Sequence, residues 1–465
     1  MKSPSSPLRR PIPEPCAAGT DGRQSCLWPL DPGVLHLNHG AFGACPREVL
    51  AAQQAIRDRL ESNPMAFFLG AYEPLRQDAL RALSGIVGAE PEDLAPTANA
   101  TAGISAVLES LSFEPGDEIL TTDHTYPSCR NALDRTRRRT GASAVTVKIP
   151  FPLNDAREAA DAVLQAITPH TRLALIDHIT SPTALMLPLD VILPRMRERG
   201  ILTLVDGAHG PGMVPLNLQC LGSDFYAGNL HKWICAPKGA GFLHVRRVHQ
   251  AIIRPCVTGL EGAYGPGDLP AFQRAFAWTG TADPSAFFVL PACLRFLETL
   301  SEKGLDGVMA ANRNLALEAR RILCERLNVP SPCPESMVGS MAAVPLPDGE
   351  EKIRDGMGTL QRALRERFRI EVPVIAWPEP PSRLLRVSAH AYNAPAQYTR
   401  RRPRRTALAH LAATTKLNPP SKINSERNLT CSNACQSKRR HTAKPCRECK
   451  ARAADDSRGR SAANG

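Results

Sequence analysis

Nowhere in this chain is there a run of the roughly 18 apolar residues that a membrane-spanning helix requires, so no membrane partner is expected. Behind the charged opening MKSPSSPLRRPIPEPCAAG there is no apolar block either, so no secretory leader is read and cytoplasmic residence is expected. Closely paired cysteines are lacking in the body. Ten of the 14 lie scattered between Cys16 and Cys333, which points to reduced packing residues and not to a disulfide framework. The body also lacks net charge. Of the 57 Lys/Arg and 45 Asp/Glu, 17 basic and four acidic residues fall between Thr399 and Gly465, leaving 40 against 41 elsewhere. A nucleic-acid footprint needs a basic patch on a folded face, and none is offered, so nucleic acid is not an expected partner. The tail holds the remaining cysteines, Cys431, Cys435, Cys446 and Cys449, with no apolar residues around them to build a zinc-ribbon core. No metal is assigned.

What is present is enough for a large folded body. A length of 465 residues suggests two or three domains, and 43% hydrophobic residues suffice for a core. Residues 1–30, rich in proline and polar residues, read as a segment without fixed structure. From about Tyr72 to Val248 helical and strand-like stretches alternate. Helices are expected over Glu73–Val87, Thr101–Ser110, Cys129–Thr140, Asp155–Ile167 and Val191–Arg199, and strands over Glu118–Thr121, Ala144–Ile149, Arg172–Asp177, Ile201–Asp206 and Gly239–Val245. Near-continuous apolar strands alternating with helices predict an α/β fold, a mostly parallel sheet covered by helices on both faces in three α/β/α layers. After Arg247 the pattern changes to helices (Pro284–Leu300, Ala311–Leu327) and short mixed segments (Ser340–Val344, Arg369–Ile375), which predicts a second, smaller α+β domain. The division is 31–70 as the N-terminal part of the small domain, 71–255 as the large domain, 256–398 as the rest of both, and 399–465 as a basic tail.

In open α/β sheets, ligands sit at the carboxyl ends of the strands. Two apolar strands end there in polar groups: ILTLV runs into Asp206-Gly207-Ala208-His209, and RLALI into Asp177-His178 and then Thr180-Ser181. A carboxylate capping an apolar strand needs a partner or a ligand, because burying an unpaired charge is costly; a helix cap or structural carboxylate is the plainer alternative. Lys232 follows in Asn229-Leu230-His231-Lys232-Trp233, between a strand-like segment and the turn Pro237-Lys238-Gly239-Ala240-Gly241. An ordinary lysine, with a pKa near 10.4, is a weak nucleophile at neutral pH, and desolvation or conversion to an imine corrects this. Its competitor Lys238 sits in what reads as an exposed turn. Upstream, Pro96-Thr97-Ala98-Asn99-Ala100-Thr101-Ala102-Gly103 leads into a helix whose free N–H groups suit a phosphate, or serve as a simple cap.

These residues, in this order, resemble the fold-type I pyridoxal-5'-phosphate (PLP) enzymes. Within them they resemble the class V aminotransferase branch, which includes cysteine desulfurases, and most of all its isopenicillin N epimerase-like group. The stretches that carry the likeness are LNHGAFG (37–43), TANATAGISAVL (97–108), DEILTTDHTYPS (117–128), DHITSPTALMLPL (177–189), VDGAHGPGMVPL (205–216), GNLHKWICAPKGAGFL (228–243), WTGTADPSA (278–286) and RVSAHAYN (386–393). The resemblance implies the PLP-dependent transferase fold over about residues 30–398, with 71–255 as the cofactor-binding part.

It also implies roles. Lys232 carries the cofactor as a Schiff base and moves protons at the substrate's α-carbon. Asp206 pairs with the ring nitrogen. His209 and Ser181 face the 3'-oxygen, and Tyr126 or His124 stacks on the ring. The backbone of Ala100 and Thr101, with Asn229 and His231, holds the phosphate. Thr281 reaches the neighbouring subunit's phosphate, which implies a homodimer. Arg386 grips the carboxylate of an amino-acid-like substrate, helped by Asn38 and Asn393. Epimerisation at the α-carbon, through a quinonoid, is the expected reaction; C–S lyase, desulfurase-like or aminotransferase chemistry is the alternative. Desulfurases place a nucleophilic cysteine shortly before the carboxylate-binding arginine, and Ile370–Leu385 has none. After Tyr398 the closing amphipathic helix of similar proteins gives way to TRRRPRR, so an altered reading frame or a late extension is expected from Thr399 onward.

Overall fold

In the computed structural model, residues 24–260 and 269–399 are described. The basic tail from residue 400, with its four cysteines, and most of the N-terminal segment lie outside the described residues. Seven strands form the main sheet: β2 (Leu94–Thr97), β3 (Glu118–Thr122), β4 (Ser143–Val147), β5 (Thr171–Asp177), β6 (Leu202–Gly207), β7 (Phe225–Asn229) and β8 (Gly241–Val245). Their spatial order is β2-β8-β7-β6-β5-β3-β4. The five strands from β7 to β4 pair in parallel, and β8 runs antiparallel between β7 and β2. β5 to β8 are buried almost throughout, as strands covered on both faces must be.

The helices follow the sequence periodicity closely, with local reasons for their ends. Tyr72–Val87 stops at Gly88 in the left-handed conformation, and Pro127–Thr140 stops the same way at Gly141. Ala156–Gln165 begins with a capping box, Asp155 and Glu158 each accepting from the other's end of the first turn. β7 reads in the sequence only as the strand-like segment before Lys232, because FYAGN has two small residues and little apolar pattern, and β2 is not read as a strand at all. β2 contains Pro96, which is tolerated because β2 is the edge of the sheet.

A second sheet of three antiparallel strands, β11 (Val374–Ala376), β12 (Arg383–Ser388) and β9 (Met341–Leu346), packs with the long helix Gly304–Leu327. A two-strand parallel ladder joins β1 (Leu35–His36) to β10 (Ile370–Glu371), so the N-terminal segment belongs spatially with the C-terminal lobe. Among the described residues no helix is long and apolar enough to cross a membrane. The fold is thus the three-layer α/β/α arrangement with a smaller sheet domain, as the resemblance implied.

Candidate active site

The carboxyl ends of β3, β5, β6 and β7 frame a cavity of about 190 Å³, walled by Asn99, Thr101, Tyr126, Asp206, His209 and Lys232, among others. Strand order explains the gathering. Lys232 follows β7, Asp206 and His209 end β6, Asp177 and Ser181 end β5, and Tyr126 follows β3.

Lys232 is 9% exposed, and its Nζ lies 3.0 Å from His209 Nε2. The other ring nitrogen, Nδ1, accepts from Trp233 Nε1–H at 3.3 Å. An indole N–H can only donate, so a neutral His209 carries its proton on Nε2 and donates it to Lys232. Lys232 offers a lone pair in that arrangement. The pairing thus favours the unprotonated amine, and desolvation pushes the same way, lowering the Lys232 pKa to about 8. Burial, with Lys232 nearby, holds His209 well below its ordinary range, so its neutral form is the relevant one.

Asp206 is 4% exposed and accepts two hydrogen bonds, from Ala208 N–H (3.0 Å, Oδ1) and from the Cys129 thiol (3.1 Å, Oδ2). Beside it, in register on β5, stands Asp177, which lines the same cavity and whose Oδ2 has no partner among the described residues. Burial raises both carboxyls, Asp177 well above the usual carboxylate range, with the Asp206 charge adding to it. Two like charges this close do not both ionise. The two hydrogen bonds and Lys232 favour the charge on Asp206, and the proton resides on Asp177. Neither Asp177 nor Cys129 was assigned a role from the sequence. Asp177 was visible as a strand-ending acid, whereas Cys129 meets Asp206 across 77 residues.

Asn229, His231, Ser181 and Thr101 also line the cavity. The Ala100 N–H, expected to face a phosphate, is instead engaged by Asn229 Oδ1 at 2.8 Å, while Asn99 caps Ala102. This corrects the expectation. Asn229 closes the first N–H of the helix Ala100–Ser110, and the Thr101 N–H is the next one open at the cavity. His124 is a second correction. It is fully buried, bonds Thr183 Oγ1 at 2.7 Å and packs edge-on against Trp377, outside the cavity wall, whereas Tyr126 lies in it. Asn393 is a third: its amide donates to His36 O and Gln397, and its oxygen accepts from His390 N–H, so both ends hold the chain itself. Thr281 is exposed and outside its own chain's cavity wall. Lys238 is exposed and donates to Gly43 O.

Arg386, on β12, is 4% exposed. It donates to the Ser181 carbonyl and hydroxyl and reaches Asn38 Oδ1 at 3.5 Å, but its Nε has no partner. Among the described residues no carboxylate pairs with it. A buried guanidinium left without a counter-anion costs several kcal/mol, on the order of magnitude measured for broken buried pairs, so an anion arriving beside it would be stabilised.

The loop carrying Lys232 is clamped from behind. The Lys232 carbonyl accepts from Cys235 N–H (3.0 Å) and meets His39 Nε2 at 2.9 Å, so His39 must carry its proton there. His39 Nδ1 then accepts from Tyr392 Oη at 2.9 Å. His39, Cys235 and His390 bring metal-ligand atoms within 4.8 Å of one another. The two imidazoles, however, stack at 4.0 Å with planes 21° apart, so their lone pairs do not converge. The cluster is a hydrogen-bonded clamp. Gly43 completes it: at φ +69°, any Cβ there would stand 1.8 Å from the His231 carbonyl oxygen.

A buried lysine amine, a buried carboxyl on the neighbouring strand and a helix N-terminus facing the cavity at Thr101 fit one class: a PLP-dependent enzyme of fold type I. A family model for aminotransferase class V matches residues 46–331, and the chain belongs to that family. It is 36% identical over 377 residues to isopenicillin N epimerase of Streptomyces clavuligerus, covering 78% of this chain and 92% of that one. It is 31% identical over 399 residues to a probable chloroplastic L-cysteine desulfhydrase of Arabidopsis thaliana, covering 80% and 82%. The fold is shared with a cysteine desulfurase from Escherichia coli (TM-score 0.66, 20% identity, 84% of this chain and 97% of that one). It is also shared with the cystine C–S lyase C-DES in complex with cysteine persulfide (TM-score 0.65, 22% identity, 83% and 98%). Its cofactor is pyridoxal 5'-phosphate.

Proposed function

We propose that the protein inverts the α-carbon of an amino-acid-like substrate, as an isopenicillin N epimerase-like enzyme. The observation that carries the reading is Arg386, a buried guanidinium with no counter-anion among the described residues, beside a cavity that holds a buried lysine. An α-carboxylate is the anion that places an α-carbon near that amine. The relatives named epimerases, and the absence of cysteine in Ile370–Leu385, support it further.

Lys232 would hold the cofactor covalently, Asp206 its ring nitrogen, and Thr101 N–H with Asn229 and His231 its phosphate. Bound there, the cofactor supplies an electron sink conjugated to the α-carbon. Arg386 and Asn38 fix the carboxylate, His209 positions the lysine amine, and Lys232 Nζ takes or returns the α-proton on its own face. Ser181, bonded to Arg386, ties the carboxylate grip to the cavity wall. Thr281, exposed on the surface, would meet a second subunit in a homodimer.

L-Cysteine desulfhydrase-like β-elimination is the second reading, favoured by the relatives of that name. The two separate in deuterium oxide. Incubating holoenzyme with isopenicillin N and a panel of L-amino acids should give products of opposite configuration carrying deuterium at Cα, without keto acid. Release of sulfide and pyruvate from L-cysteine, with no inversion of any substrate, would install the second reading instead. Arg386→Lys should raise KM for the amino-acid substrate about 10- to 100-fold with a smaller change in kcat. An ammonium keeps the charge but loses the planar fork that meets a carboxylate with two bonds.

A further inference from the structure

Inversion at a carbon needs protons handled on both of its faces, and Lys232 serves one. Among the ionisable groups that line the cavity, most are already committed. His209 has both ring nitrogens engaged, by Lys232 and Trp233. His231 is the chain neighbour of Lys232 and turns Nδ1 to the Ala240 carbonyl at 3.4 Å. Asp206 accepts from Ala208 and Cys129, and Asp177, though it lines the cavity with one oxygen unpartnered, could give up its proton only by setting a second charge in register beside Asp206. Tyr126 remains.

Its position is different in kind. Tyr126 follows β3, three strands from β7 in the order β7-β6-β5-β3. At the usual spacing of about 4.8 Å, those strands lie about 14 Å apart. Lys232 and Tyr126 therefore come from the two ends of that row of strands, with the strands of Asp206 and Asp177 between them, and both line the cavity. Tyr126 is 41% exposed, and among the described residues its hydroxyl makes no hydrogen bond, so it is open to proton exchange with water.

Resting on the epimerisation reading, we infer that Tyr126 is the second acid–base group, acting on the α-carbon face opposite Lys232. In one direction Lys232 Nζ takes the α-proton and Tyr126 Oη–H delivers its own to the other face. The resulting ammonium and phenolate then return to their starting states by exchange with water. The reverse direction uses the same groups with their roles exchanged, and Arg386 steadies the transient phenolate.

The test is Tyr126→Phe in the holoenzyme, which keeps the ring but not the acid. PLP content, the cofactor absorbance band and the PLP dissociation constant of the apoprotein should match wild type. Inversion should fall by a factor on the order of 10²–10⁴, the usual size of a general acid–base contribution. Solvent deuterium should still enter the α-position of one enantiomer with retention, because Lys232 is intact, and exchange into the other enantiomer should be lost. Undiminished inversion in Tyr126→Phe, or equal loss of exchange from both enantiomers, overturns the assignment while leaving the epimerase reading standing. A wild-type enzyme that exchanges one enantiomer alone overturns both.

Discussion

Lys232→Ala is expected to lower turnover of any amino acid by on the order of 10³-fold or more, because one change would remove both the proposed covalent anchor of the cofactor and the proposed proton carrier. Borohydride treatment followed by peptide mass analysis should place the reduced cofactor on the Lys232 peptide in wild type and nowhere in the variant. Lys238→Ala, three residues beyond Cys235 on the exposed turn, should behave as wild type. Labelling of Lys238 in the wild-type protein would reject the assignment of Lys232. The pH dependence has a defined sign. Desolvation lowers the Lys232 pKa to about 8 in the cofactor-free protein. Its amine is the reactive form, so the rate of PLP capture by apoprotein should climb up to about pH 8 and level off above it. An ordinary solvated lysine would keep climbing beyond pH 10.

The second large effect separates two neighbouring carboxyls. Asp206→Asn should lower kcat by at least about 100-fold, because it would remove the charge proposed to keep the cofactor's ring nitrogen protonated. Asp177→Asn should keep kcat within about 10-fold, because that carboxyl already holds a proton and the amide has nearly its shape. The asymmetry comes from the hydrogen bonds: two reach Asp206, from Ala208 and Cys129, whereas one Asp177 oxygen has none. Steady-state kinetics on the two variants, with absorbance spectra to confirm cofactor loading, decides the matter. The opposite ranking would mean that the charge lives on Asp177.

How much of this was legible in the chain depended on whether the signal was local. Lys232, Asp206 and His209 stand at the ends of strands whose apolar runs and turn residues sit within a few positions of them. Strand β2 was hidden by Pro96, since a proline that would break an inner strand is harmless at an edge. His124 and Tyr126 lie two residues apart in one loop, and only the turn into Pro127–Thr140 settles which of them meets the cavity. The capture of the Ala100 N–H by Asn229 spans 129 residues, and the meeting of Cys129 with Asp206 spans 77. No periodicity carries such pairs; they exist only once the strand order is fixed. Asn393 reads as a ligand by its motif, and the fold instead uses its amide to tie His36 to the chain after β12.

The ladder between Leu35–His36 and Ile370–Glu371 has a bearing on how the enzyme comes into being. A ribosome extends a chain by about 5–20 residues per second, so these partners emerge roughly 20 to 70 s apart. All seven strands of the main sheet have been synthesised by Val245, long before β12 delivers Arg386 to Asn38 and Ser181. With Arg386 as the proposed anion grip, the nascent protein would have its floor well before that grip, and selectivity for a substrate would arrive only with the last stretch of the body to be translated.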